Sequence, residues 1–82
     1  MKGEVIAMAS FIVYLEPAEE GGYIASVPAL PGCVTQGETR EEAMAMAEDA
    51  IHGYVESLKK HGEPLPFGFE KAEVKTVTVD VA

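Results

Sequence analysis

The chain changes rhythm between apolar and polar positions several times, and each change predicts an element. Residues 9–16, ASFIVYLE, gather β-branched and aromatic types, the composition of a strand. Phe11, Val13 and Leu15 fall on one face, Ile12 and Tyr14 on the other. Both faces are apolar, which predicts a central strand. Residues 1–8 are read either as its extension or as a loose end. The PAEEGG cluster, Pro17 to Gly22, marks a turn. Beyond it, Tyr23, Ala25 and Val27 alternate with Ile24 and Ser26. Two runs joined so closely predict an antiparallel hairpin.

A helix is signalled next. Thr39 and Glu42 have the spacing of a capping box: the Thr hydroxyl accepts the Glu42 amide, and the Glu42 carboxylate reaches back. Glu41 and Glu42 also suit the positive end of a helix dipole. At 100° per residue, Ala43, Ala47, Ala50, Ile51, Tyr54 and Leu58 collect on one side. Glu41, Glu48, His52 and Lys59 collect opposite, flanked by Asp49 and Glu56. The small alanines predict that the helix lies flat on a sheet. Gly53 either admits another backbone or loosens the helix, at a cost of roughly 1 kcal/mol relative to Ala. Lys59, Lys60 and His61 suit the negative end, and Gly62 is a natural stop.

An irregular connector, GEPLPFGFEKA, leads to VKTVTVDV, Val74 to Val81. There Val77, Val79 and Val81 face one way and Thr76, Thr78 and Asp80 the other, the pattern of a half-buried strand.

Between the hairpin and the helix lies VPALPGCVTQGET, Val27 to Thr39. Pro28 and Pro31 lack amide donors and cannot sit inside a paired strand, so PALPG reads as a rigid, outward-bulging connection. CVTQG follows as a third short strand, ended by Gly37. The corner is either architecture that turns one strand into the next, or a preorganised surface that offers Leu30 to a partner at reduced entropy cost.

The expected fold class is therefore α+β, in the order β-β-β-α-β. Three strands form an antiparallel meander, the helix packs on one face, and the fourth strand lies beside the first. The other face of the sheet is left uncovered and carries apolar side chains, which marks an interaction surface.

Composition narrows the function. The chain has 82 residues, which predicts one domain, and a core of about 9–81. At this size only roughly 60–65% of the unfolded surface is buried, so self-association into a dimer or tetramer is a plausible supplement. Six basic residues stand against fourteen acidic ones, a net charge of −8. That disfavours direct binding of nucleic acid, whose affinity comes from Lys and Arg on phosphates. It favours a basic partner, or serves solubility. Cys33 is the only cysteine, so paired-cysteine zinc sites and an internal disulfide are excluded, and a reducing cytoplasm is the expected compartment. No stretch reaches the roughly 20 apolar residues of a membrane span, and the start does not read as a signal peptide.

With these elements placed, GGYIASVPALPGCVTQGETREEA closely resembles the HicB antitoxin family of toxin–antitoxin pairs. The resemblance is carried by Gly22 and Tyr23; by Pro28, Leu30, Pro31, Gly32 and Cys33; by Gly37 and Thr39; and by Glu42 and Ala43. It continues through Ala50, Ile51 and Tyr54 to HGEPLP, and covers about residues 11–81. It implies a partial RNase-H-like fold without nuclease activity. It also implies a small basic HicA-like toxin as partner, whose RNA-degrading site the antitoxin covers. Many members add a C-terminal DNA-binding domain; this sequence ends after the last strand, so a single domain over 1–82 without one is expected.

Candidate chemistry is weighed against that expectation. RNase-H-type hydrolysis needs clustered carboxylates holding two metal ions. The first strand offers only Glu16, and Asp49 points away from the sheet. Cys33 with His52 or His61 would be a nucleophile–base pair, but local spacing does not bring them together. The two histidines lie about 13 Å apart along a helix, too far to share a metal. No enzyme activity, metal or cofactor is expected. Glu41, Glu48, Asp49 and Glu56 form an acidic strip, either a solvated helix face or a steering surface for a basic partner. With Leu30 they are the candidate contact residues.

Overall fold

Pairing sets where the strands begin and end. The computed structural model describes residues 9–66 and 72–82. In it β1 is Tyr14–Pro17, β2 is Tyr23–Ser26 and β3 is Val34–Gly37, an antiparallel sheet in the order β1-β2-β3. Helix α1, Arg40–Lys60, follows. The α+β class, the meander and the single helix thus stand as read from the sequence. The first strand differs. It starts at Tyr14 because β2 offers partners only as far as Ser26, opposite Tyr14; the chain after Ser26 turns away into the corner. Among the described residues β1 lies at the edge of the sheet, with β2 as its one neighbour, where its two apolar faces predict a central strand.

The fourth strand expected over 74–81 is not formed in this single chain. Residues 72–82 are exposed throughout and pair with no strand among the described residues. Residues 1–8 and the 67–71 part of the connector lie outside the described residues.

The register sorts the side chains into rows. Leu15, Ala25 and Thr35 stand opposite one another, as do Pro17, Tyr23 and Gly37. These rows face α1, since Ala25 shares a fully buried cluster with Ala43 and Ala47, and Val13, Leu15 and Tyr23 pack against it. The opposite face carries Tyr14, Ser26 and Val34 in one row and Glu16, Ile24 and Gln36 in the next. Tyr14 and Val34 are exposed. The uncovered apolar face is thus built by Ile12, Tyr14, Ile24 and Val34, with Phe11, Val13 and Leu15 turned toward the helix.

Two glycines set the spacing between sheet and helix. A Cβ on Gly37 would sit 2.5 Å from the Ala43 nitrogen, and one on Gly22 would sit 2.5 Å from the Gly37 carbonyl oxygen. Gly22 also has φ +79°, a region that favours glycine. The helix is started by Thr39, whose Oγ1 accepts from the Glu42 amide at 3.0 Å. The Glu42 carboxylate reaches one residue further back than a capping box requires, accepting from Glu38 N–H at 2.8 Å. Gly53 is exposed and no other backbone approaches it among the described residues, so it does not admit a neighbour there.

These contacts predict opposite outcomes at two glycines. Gly37→Ala forces a methyl into the first turn of α1 and costs on the order of 1–3 kcal/mol. Gly53→Ala, with open space around it, gains about 0.5–1 kcal/mol from the stiffer unfolded chain. Thermal unfolding followed by circular dichroism measures both; a Gly37→Ala chain as stable as its parent counts against the close-approach account.

Candidate functional site

The proline corner is two consecutive turns. Val27 O accepts from Leu30 N–H at 3.0 Å, and Leu30 O accepts from Cys33 N–H at 2.9 Å. Pro28 and Pro31 each take the second position of a turn, which suits their fixed φ. Gly32 follows Pro31 with φ +82°, the arrangement of a type II turn. Val27 N–H donates to Cys33 O at 3.0 Å and closes the pair. Pro28, Pro31 and Gly32 face solvent, but the turns send Leu30 inward. Leu30 is 1% exposed and is the largest fully buried side chain among the described residues. It packs with Val27 and Cys33, under Ile51, Tyr54 and Leu58 of α1. The expected partner contact through Leu30 is therefore corrected: the double turn commits this side chain to the core. The Tyr54 hydroxyl donates to Pro31 O at 3.0 Å and ties the helix to the corner.

The motif residues divide between two anchors. Gly22, Tyr23, Gly37, Thr39 and Glu42 gather where the hairpin turn meets the first turn of α1; Pro28, Pro31, Gly32 and Cys33 build the corner. Both groups hold backbone in place.

Cys33 is buried, and that burial raises its thiol pKa. His52 is exposed on α1, and His61 Nδ1 lies 2.8 Å from Ser57 O at the helix end. The structure does not bring either imidazole to the buried thiol. Among the described residues, no three His, Cys, Asp or Glu side chains gather as metal ligands would. No helix among them is long and apolar enough to cross a membrane.

The outer face of α1 is where exposed candidate residues meet. Glu41, Glu48, Asp49 and Glu56 are all exposed. None of their carboxylates forms an ion pair among the described residues, where the salt bridge found is Lys75–Glu73. Arg40, Glu41, Met44, Ala45 and Glu48 line a shallow depression. Met44 and Met46 are exposed, and sequence reasoning missed both. They flank the apolar stripe on either side, and the 100° geometry that placed Ala43 and Ala47 inside also put them at its borders. A second open groove is lined by Glu20, Gly22, Tyr23, Gln36, Glu38 and Glu42. It joins the β1–β2 turn to the start of α1, segments distant in sequence, so periodicity within one element gives no sign of it. These surfaces present negative charge with a few polarisable or apolar contacts, a combination suited to a basic macromolecular partner.

Comparison with known proteins gives relatives over most of this chain. A family model described as HicB_like antitoxin of bacterial toxin-antitoxin system matches residues 11–80. A UPF0150 protein of Thermoplasma acidophilum is 50% identical over 56 residues, covering 68% of this chain and 81% of that protein. Antitoxin HicB 1 of Photorhabdus laumondii is 43% identical over 74 residues, covering 85% of this chain and 48% of the antitoxin. The chain thus spans about half the length of that relative. A UPF0150 protein of Archaeoglobus fulgidus is 42% identical over 67 residues, covering 80% of this chain and 96% of that protein.

The thiol offers a direct check on the corner. Burial and a raised pKa both reduce the exposed thiolate that alkylating reagents need. Native protein at pH 8 is expected to react with iodoacetamide at least about tenfold more slowly than protein in denaturant. Equal rates would mean the double turn does not enclose Cys33.

Proposed function

The chain belongs to the family of HicB-like antitoxins of bacterial toxin–antitoxin systems, and from that premise we propose that it is the antitoxin of such a pair and works by occlusion. It binds a small basic HicA-like ribonuclease and covers the active surface of that enzyme. It needs no catalytic residue, metal or cofactor of its own. The observation that carries this reading is the outer face of α1, where Glu41, Glu48, Asp49 and Glu56 stand exposed and without an ion pair among the described residues, and where Glu41 and Glu48 share a shallow depression with Met44 and Arg40. A toxin surface built to hold RNA is basic, and these carboxylates oppose it as phosphates would. Methionine adds contact that adapts to an irregular surface. The net charge of −8 draws such a partner from a distance, within a Debye length of about 8 Å at physiological salt, and disfavours direct binding of nucleic acid. The domain acts in the cytoplasm.

A fourth strand over 74–81, beside β1, completes the partial RNase-H-like sheet in this reading. The strict alternation of Val77, Val79 and Val81 with Thr76, Thr78 and Asp80 supports it.

A second reading is a homo-oligomeric interaction module, dimer or tetramer. It is favoured by the exposed Tyr14 and Val34 on the open sheet face and by the exposed valines of 74–81.

The test of occlusion mixes the full chain with a HicA-like ribonuclease. RNA cleavage is expected to fall as a complex forms, and association to slow with added salt. Glu48→Lys with Glu56→Lys, both in the helix interior and exposed, is expected to slow association about tenfold or more while leaving the helix content unchanged. Undiminished cleavage at a saturating excess of the chain would end this reading.

A further inference from the structure

The described residues include a segment with the alternation of a strand but no partner, and a sheet edge that has none either. Residues 74–81 alternate as a strand, yet every residue of 72–82 is exposed, with Val77 at 80% and Val81 at 89%. β1 lies at the end of the sheet, and the side away from β2 has no partner among the described residues.

We propose that residues 74–81 of one copy dock as the fourth strand against β1 of a second copy, and that the exchange is reciprocal. This rests on the reading of 74–81 as a fourth strand and of the chain as a homo-oligomer, and supplies the contact that joins the two.

Four observations select this edge and this occupant. First, β1 has the apolar rim. Phe11, Val13 and Leu15 line its helix side and Ile12 and Tyr14 its open side, all but Tyr14 only half-buried. β3, the other edge, offers Val34, Thr35, Gln36 and Gly37, a mostly polar set. Second, α1 lies chiefly over β3 and β2 and touches β1 least. The helix side beyond β1 therefore has room for Val77 and Val79 next to Val13 and Leu15, while Thr76 and Thr78 face the open side with Tyr14. Third, the chain leaves α1 through Pro64 and Pro66. Proline-rich connections are extended and stiff, which carries the segment outward before it can fold back on its own sheet. Fourth, donor and acceptor are on the same chain, so two copies satisfy each other about a two-fold axis and the arrangement closes. A stable interface buries roughly 1,200–2,000 Å² in all, and the reciprocal exchange contributes two strand contacts toward it.

Docking pairs backbone amides and carbonyls that both elements otherwise leave to water, and removes a free edge that invites uncontrolled association. The orientation is parallel to β1. A strand that follows β3 through a helical crossover runs with β3, and β3 runs with β1. Exchange preserves that sense.

The test uses the full chain without any toxin, so its outcome does not depend on occlusion. Uniformly 13C-labelled and unlabelled chains are unfolded together, refolded and examined by isotope-filtered NMR, with the mass taken from sedimentation equilibrium. The expected result is a dimer with contacts between the methyls of Val77 and Val79 on one chain and those of Val13 and Leu15 on the other. Val77→Asp with Val79→Asp is expected to weaken dimerisation about a hundredfold or more, because a carboxylate would be buried against the rim, with helix content unchanged. A monomer whose 74–81 contacts its own β1 overturns the exchange and keeps the fourth strand. A dimer joined only through Tyr14 and Val34 overturns the exchange and keeps the oligomer. A monomer with 74–81 free overturns all three.

Discussion

Three backbones meet where Gly22, Gly37 and Ala43 stack, and that contact fixes the distance between sheet and helix. Neither glycine position has room for a side-chain carbon. Such closeness lets α1 use alanine as its inward residue, so Ala43 and Ala47 meet Ala25 with no gap left for a larger side chain. The Thr39 cap and the Glu42–Glu38 hydrogen bond hold the first turn against this point. A helix settled so low on the sheet is firmly oriented about its own axis. Its alanines face in, and its acids face out.

The outward face carries an excess of negative charge. Its acids form no ion pair among the described residues, although Arg40 lines the same depression as Glu41 and Glu48 and Lys59 and Lys60 stand at the far end, where they suit the negative end of the dipole. In a domain this small, mutual repulsion costs some stability, and a complementary basic surface relieves it. The charge that makes the free chain less stable is thus the same charge that favours a bound one.

Much of this was written in local sequence. The hairpin between β1 and β2, the cap at Thr39, the alanine stripe and the acidic strip all follow from spacing within one element, and the structure places each as read. Leu30 was not legible by the same logic. Prolines at 28 and 31 announce turns, but which way the residue between them points depends on the hydrogen bonds the turns close; Leu30 ends one turn and begins the next, and the pair folds it inward. The Pro31-Gly32 pair, which suits a type II turn, was the available signal. Met44 and Met46 escaped notice because they sit at the borders of the stripe. Strand limits were legible least. Alternation tells which side chains share a face, but a strand also needs a partner, so β1 begins only where Ser26 stands opposite Tyr14, and 74–81 keeps its pattern without a ladder.

The helix outruns the sheet it rests on. Its 21 residues extend about 32 Å, while a strand of four residues covers about 13 Å. Beyond Ala47 the inward side chains Ile51, Tyr54 and Leu58 stand on the double turn, with Leu30 beneath them. The loop therefore serves as flooring for half the helix, and the two lose their order as one cooperative unit. Fraying of the last turns of α1, seen as faster amide exchange, would report the opening of a loop distant from them in sequence.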